Sequence, residues 1–297
     1  MGEKLKKIHI AKKMISQSSH LFKCPVCGGN MNIVDAPSLA CTNRHSFDLA
    51  RQGYINTLLK ASKTKYDKDM LESRNIISKS GFFDPMLQEV SRIILKNAVP
   101  EGRQGGFVLD AGCGEGSHLA RILAFLEVKA GLSFQGVGID ISKEGIGIAA
   151  RDYANIIWCV ADLAKLPFRD EQFDIVLNIL SPASYREFSR ILKDHGILIK
   201  VVPGRDYLIQ LRDMLFVETD KKSYSNEQVI SLFTQNFNII EHKVCKYNVE
   251  LNEGNLRHLL NMTPLTWSVE KEKLDGVMES GMREVTADFH IICGKKL

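Results

Sequence analysis

The chain has 297 residues, 44% of them hydrophobic and 25% charged, a balance that excludes collagen-like and disordered chains. It suits one large globular domain, or a domain of ordinary size with a small module attached. The net charge of +4 is unevenly spread: residues 1–80 hold 14 Lys/Arg against 6 Asp/Glu, or +8, and the remainder holds 25 against 29, or −4. That asymmetry points to an anionic partner for the N-terminal part, although a lysine cluster such as Lys4, Lys6, Lys7, Lys12 and Lys13 can also merely solvate an exposed helix. No apolar run approaches the roughly 18 residues that span a bilayer, and the Lys-rich start lacks a signal-peptide core. The expected address is cytoplasmic, with no membrane partner.

In chain order, the first chemistry-bearing motif is Cys24-Pro25-Val26-Cys27-Gly28-Gly29, a metal knuckle in which two thiolates reach one ion around a turn that glycine permits. After a loop with a short strand, Met31 to Val34, comes Cys41-Thr42-Asn43-Arg44-His45. Cys24, Cys27, Cys41 and His45 make a Cys₃His set with no open position, which describes one structural Zn2+ in a segment too small to fold without it. A redox CxxC would need a thioredoxin-like strand and helix around it, and none is visible. The other four cysteines, Cys113, Cys159, Cys245 and Cys293, are scattered through apolar segments and read as buried hydrophobes.

His45 to Asn56 then mixes aromatic, polar and basic residues, and Lys60, Lys63, Lys65 and Lys68 follow in a polar stretch. A zinc-stapled platform leading into basic residues predicts an RNA surface, with Arg44, Arg51, Lys60 and Lys63 as the phosphate contacts. The expected organisation is a zinc-ribbon module over 1–60, a basic linker over 61–83 and a larger domain over 84–297.

Asp84 is placed to cap a helix with Pro85 at its first position and Met86, Leu87, Val90, Ile93 and Ile94 on one face. From Gly106 on, strand and helix signals alternate: Phe107 to Leu109, Leu119 to Val128, Gln135 to Ile139, Lys143 to Tyr153, Ile156 to Val160, Phe173 to Ile179, Tyr185 to Leu192 and Ile197 to Val202. Repeated β-α units predict an α/β fold with a parallel sheet covered on both faces.

The first of these strands ends in Asp110-Ala111-Gly112-Cys113-Gly114-Glu115-Gly116. A dinucleotide fingerprint would need glycine where Ser117 stands; acidic Asp110 and Gly116 suit S-adenosylmethionine, which has no pyrophosphate and a cationic methionine part. Two more carboxylates end the next strands. Asp140 is placed for both ribose hydroxyls and Asp162 for the adenine amino group.

On these motifs the chain resembles the bacterial 23S ribosomal RNA (guanine-N1)-methyltransferases, the RlmA/TlrB type. The resemblance covers nearly the whole sequence. It runs through Cys24-Pro25-Val26-Cys27, His45-Ser46-Phe47-Asp48, Gly53-Tyr54-Ile55-Asn56, Met70-Leu71-Glu72-Ser73-Arg74, the cofactor turn, Leu166-Pro167-Phe168, Pro203-Gly204-Arg205, Met262-Thr263-Pro264 and Asp288-Phe289-His290-Ile291. It implies a class I (Rossmann-like) S-adenosylmethionine methyltransferase domain behind the zinc ribbon, acting on N1 of a guanine in a hairpin loop of 23S ribosomal RNA. It also implies cofactor contacts from Phe83, Gly114, Glu115 and Tyr207, with 23S ribosomal RNA as partner; a homodimer is the candidate assembly, which the sequence does not decide.

Guanine N1 carries a proton at neutral pH, so a group must accept it or stabilise the adjoining oxygen. Asn178-Ile179-Leu180-Ser181-Pro182 follows the fourth strand of the domain, where an acceptor base is held, and it lacks the Asn-Pro-Pro-aromatic pattern of exocyclic-amine enzymes. Asp206, Asp288 and His290 are the candidates for the proton acceptor, and the sequence does not choose among them. Two rival readings remain open: a small-molecule methyltransferase of the same fold, and a non-enzymatic zinc-dependent RNA-binding protein.

Overall fold

The computed structural model describes residues 6–34, 37–60, 66–98, 105–216 and 225–297. It opens with helix α1 (Lys7–Gln17) and three short strands, β1 (Met31–Ile33), β2 (Ser38–Cys41) and β3 (Ser46–Asp48), paired antiparallel in that order. Then come β4 (Tyr54–Asn56), α2 (Lys68–Lys79) and α3 (Asp84–Asn97).

The alternation follows as β5 (Gly105–Ala111), α4 (Ser117–Ala130), β6 (Ser133–Asp140), α5 (Lys143–Asp152), β7 (Ile157–Val160), β8 (Phe173–Ile179), α6 (Tyr185–Ile191) and β9 (Leu192–Pro203). The chain closes through α7 (Ile209–Leu215), α8 (Glu227–Thr234), β10 (Phe237–Glu250), α9 (Glu253–Met262), α10 (Lys271–Glu279) and β11 (Glu284–Lys296).

Eight strands form one sheet in the order β10-β11-β9-β8-β5-β6-β7-β4. Strands β4 to β9 run parallel where they pair, and β11 is antiparallel to both β9 and β10. The winding reverses between β5 and β8, which opens a crevice at their carboxyl ends, where such sheets bind nucleotides. This is the class I methyltransferase fold.

Alternating side chains feed two cores. Val108, Trp158, Ile175, Leu177, Ile199 and Val201 meet α2, α3, α4 and α5 on one face. On the other, Leu109, Val137, Ile157, Cys159 and Val176 meet α6, α8 and the N-terminal segment, which contributes Ala11, Ile15, Leu21, Phe22 and Leu39. The described residues between 6 and 49 are therefore part of the second layer of the main domain. Tyr54↔Trp158 and Asn56↔Val160 add β4 to the sheet, the Lys23 amide donates to the Pro167 carbonyl at 3.0 Å, and the Arg169 amide donates to the Leu21 carbonyl at 2.8 Å.

The stretch expected as a basic linker, 61–83, holds helix α2 over 68–79, which corrects that reading; residues 61–65 lie outside the described ones. The Asp67 side chain caps α2 by accepting from the Met70 amide at 2.8 Å. Met70, Leu71 and Ile77 bury one face, and Ser73 accepts from Asn261 on α9 at 2.8 Å. Asp84 opens α3 as its first residue while Phe83 takes the cap position, and the Asp84 carboxylate pairs with Arg121 instead of capping.

Candidate active site and zinc centre

The four expected metal ligands converge. The donor atoms of Cys24, Cys27, Cys41 and His45 all lie within 4.8 Å of one another. Zinc at about 2.3 Å from sulfur and about 2.0 Å from nitrogen sets tetrahedral edges of about 3.8 Å between sulfurs and about 3.5 Å between sulfur and nitrogen. The Cys27–Cys41 sulfur separation is 3.8 Å, and His45 Nδ1 lies 3.5 Å from Cys24 Sγ and 3.4 Å from Cys41 Sγ. Gly28 takes φ 74° in the knuckle, its amide donates to the Cys24 carbonyl at 2.8 Å, and the Gly29 N–H lowers the Cys27 thiol to about 6. The closed tetrahedral spacing of three sulfurs and one nitrogen makes this a structural zinc site.

The candidate cofactor cradle forms where β5, β6 and β7 end. A cleft of about 260 Å³ is lined by Gly112, Gly114, Asp140, Asp162, Leu163, Ser181 and Arg74, among others. Gly112 stands at φ 86°, and a Cβ there would lie 1.8 Å from Ser181 Oγ, so only glycine lets Ser181 sit this close to the turn. Asp140 Oδ2 accepts from the Gly114 amide and Oδ1 from the Ser142 amide, both at 2.8 Å. A carboxylate has about four acceptor positions, so about two remain for a vicinal diol. Burial raises the Asp140 pKa, against the opposing effect of those amides.

Asp162 also lines the cleft and is exposed, its Oδ1 accepting from the Ala164 amide at 2.9 Å. Asp110 is buried beneath the turn with Oδ1 unpartnered among the described residues, and burial lifts its carboxyl to about 7, against the lowering field of Arg74. An orphaned buried carboxylate behind the glycine turn suits a cationic ligand, and with the spare acceptor positions of Asp140 the residues present fit S-adenosylmethionine. Glu115 is turned inward: its carboxylate accepts from Ser117 Oγ at 2.6 Å and lies 3.9 Å from Arg74 Nε.

A second cavity, of about 650 Å³, adjoins the cleft. Tyr66, Arg74, Leu180, Ser181 and Pro182 line both, so the segment after β8 and Arg74 form the shared wall. Phe83 and Tyr207 lie in this larger cavity rather than in the cradle. Burial lifts the Tyr207 phenol to about 12. Lys200, Tyr185, Val202 and Met262 line it as well.

The three residues considered as proton acceptors have other partners. Asp206 pairs with Lys246 at 2.6 Å, Asp288 Oδ2 accepts from the Asp206 amide at 2.9 Å, and His290 meets His242 at 3.0 Å. None of the three lines either cavity. Arg44, Arg51 and Lys60 are exposed and make no ion pair among the described residues; Lys63 lies outside those residues. Arg44 takes φ 62° in the turn between the last two zinc ligands.

Comparison with known proteins agrees with both parts. Residues 22–64 match the family described as RlmA, N-terminal, and residues 108–196 match a methyltransferase domain. YxjB of Bacillus subtilis (strain 168), whose name places it among the 23S rRNA (guanine-N(1)-)-methyltransferases, is 41% identical over 278 residues, covering 93% of this chain and 97% of its own. The chain belongs to the 23S rRNA (guanine-N1)-methyltransferase family. The 23S rRNA (guanine(748)-N(1))-methyltransferase of Streptomyces fradiae is 31% identical over 272 residues, covering 89% of this chain and 93% of its own.

In this guanine-N1-methyltransferase family member, two residues were given no site role by the sequence: Arg74, at the shared wall, and Lys200, in the larger cavity. Arg74 comes from α2, distant in sequence from the glycine turn it faces, with its guanidinium beside the position a Gly114 Cβ would take. Lys200 interrupts an otherwise apolar strand, Ile197 to Val202. That interruption is the one signal that could have found it.

Proposed function

We propose that this chain methylates N1 of a guanine in a hairpin loop of 23S ribosomal RNA, in the cytoplasm where that RNA is assembled. The observation that carries the reading is the pair of adjoining cavities: a cofactor cradle built on Gly112, Gly114 and Asp140, and a larger apolar chamber reached across Leu180-Ser181-Pro182. S-adenosylmethionine supplies an electrophilic methyl group on its sulfonium. The chain's residues align and enclose the reactants.

Asp140 holds the ribose end and Asp110 places negative potential under the methionine end. Phe83, Tyr185, Tyr207 and Met262 give the chamber the aromatic and apolar walls that a base drawn out of its stack requires. A loop guanine enters such a chamber more cheaply than one in a continuous duplex. Arg44, Arg51 and Lys60, on the exposed surface of the zinc module, would contact phosphates, and this module shares a core with the catalytic sheet. Mapping methylated nucleotides in ribosomal RNA from cells lacking the gene tests the proposal. Loss of one 1-methylguanosine in 23S RNA is expected, and an unchanged methylation map would overturn it.

A further inference from the structure

Lys200 is 4% exposed, on a strand whose other central residues, Ile197, Leu198, Ile199 and Val201, are fully buried and apolar. Placing an amine there carries a desolvation cost, and no carboxylate pairs with it among the described residues. Its Nζ instead donates to Asn178 Oδ1 on β8 and to the carbonyl of Ser181 at the shared wall, both neutral acceptors. Asn178 is in turn fixed, its Nδ2 donating to the carbonyls of Ala111 at 2.8 Å and Pro182 at 2.9 Å. A neutral amine has two N–H groups and one lone pair. With both N–H groups so engaged, the third tetrahedral position is the free one, on a side chain that lines the larger chamber.

We infer that Lys200 is the base that takes the N1 proton from the target guanine, an assignment that rests on the function proposed above. The N1–H bond breaks, its electron pair stays on N1 in the ring plane, and Nζ becomes an ammonium. That pair forms the N1–C bond as the methyl carbon's bond to sulfur breaks; those electrons remain on sulfur, leaving S-adenosylhomocysteine. The ammonium then returns its proton to water.

The surroundings keep Lys200 suited to this. Burial lowers its pKa to about 8. About a tenth is then neutral at pH 7, where an ordinary lysine would be almost wholly protonated. The titratable groups around it are Arg74 from α2, Tyr185 from α6, and Tyr66 and Tyr207 at the chamber wall; α8 presents only Val229 and Leu232 there. On its own sheet face, strand register adds His290 and His242, paired with each other, Asp288 on β11 and Lys246 on β10, which both engage Asp206, and Asp174 four residues before Asn178 on β8, where it binds Lys193 and His195. None of these carboxylates or imidazoles contacts Nζ among the described residues.

The test uses the full chain, S-adenosylmethionine and deproteinised 23S RNA from cells lacking the gene, with 1-methylguanosine measured in single turnovers from pH 6 to 10. The wild-type rate should rise with pH, reach half its plateau near pH 8 and level off above about 9. Lys200→Met and Lys200→Gln, the second retaining N–H donors, should each lose about 10²- to 10⁴-fold in rate, with calorimetric affinity for S-adenosylmethionine unchanged. Lys200→Arg should be as slow, and added ethylamine should restore part of the rate of Lys200→Ala in proportion to the free amine. A wild-type rate and pH profile in Lys200→Gln or Lys200→Met would overturn the role. Full activity in Lys200→Arg would also overturn it, by showing that a fixed cation suffices. Absence of 1-methylguanosine with the wild-type protein would overturn the proposed function and this role together.

Discussion

Replacing Gly112 with alanine tests the cofactor cradle through sterics alone. An added Cβ would lie 1.8 Å from Ser181 Oγ and 2.7 Å from Ser181 Cβ. Rotating the serine hydroxyl away removes the first clash and leaves the second, so the backbone at Leu180-Ser181-Pro182 must retreat by about 1 Å to regain ordinary contact. That segment is the wall shared by both cavities and carries the carbonyl that holds Lys200. The alanine must also adopt φ 86°, at a cost of roughly 1–2 kcal/mol.

The expected result is at least a 10-fold loss of S-adenosylmethionine affinity by calorimetry and a fall in Tm of about 2–4 °C per kcal/mol of strain. The double variant Gly112→Ala/Ser181→Gly removes both clashing atoms, and the next neighbour, Leu163 Cδ1, stands at an ordinary 3.8 Å. Most of the affinity should return while the backbone strain, and so the lowered Tm, persists. If Gly112→Ala binds the cofactor like the wild type, or the double variant binds no better than the single one, the cradle is not where the cofactor lies.

Three further outcomes follow from the structure. The protein should carry one zinc per chain, and Cys24→Ala should lose it and destabilise the whole fold, since the module shares a core with the sheet; metal analysis with thermal unfolding checks both, and undiminished zinc would refute the ligand set. Asp110 has its folded-state pKa raised from 3.8 to about 7, so its ionisation should remove stability as pH rises through that window, and Asp110→Asn should abolish this loss. Cationic cofactor draws on the ionised form, so affinity should climb over the same interval in the wild type and stay flat in Asp110→Asn. Replacing Arg44, Arg51 and Lys60 together should weaken RNA binding and reduce its salt slope by about 0.7–0.9 per lost phosphate contact, with cofactor affinity unchanged; an unaltered slope would remove them from the interface.

The zinc ligands and the cradle were legible in sequence because each is a short run whose spacing already fixes its geometry: CxxC around a glycine turn, and a glycine turn at a strand end. The β-α alternation was legible for the same local reason, with β8 falling on the expected Phe173–Ile179. What escaped depends on partners far along the chain. Tyr54 to Asn56 is too short to announce a strand, and only β7 makes it one. Helix α2 hides in a polar stretch because half its buried positions are Ser73, Asn75 and Ser78, which face polar groups rather than a uniform apolar core. Lys200 reads as a stray charge until β8 brings Asn178 beside it.

The seating of β4 against β7 also bears on how the protein is made. Ile55 finds its partner Cys159 only after roughly a hundred more residues have been synthesised, a wait of about 5–20 s at ordinary translation rates. During that interval the apolar side of the N-terminal segment, with Ile15, Phe22 and Leu39, has no sheet to cover it. The four zinc ligands, Cys24 to His45, are all synthesised before that wait begins, so bound metal would hold the centre of the segment together through it. Zinc supply during translation, rather than after release from the ribosome, should therefore set the yield of native protein.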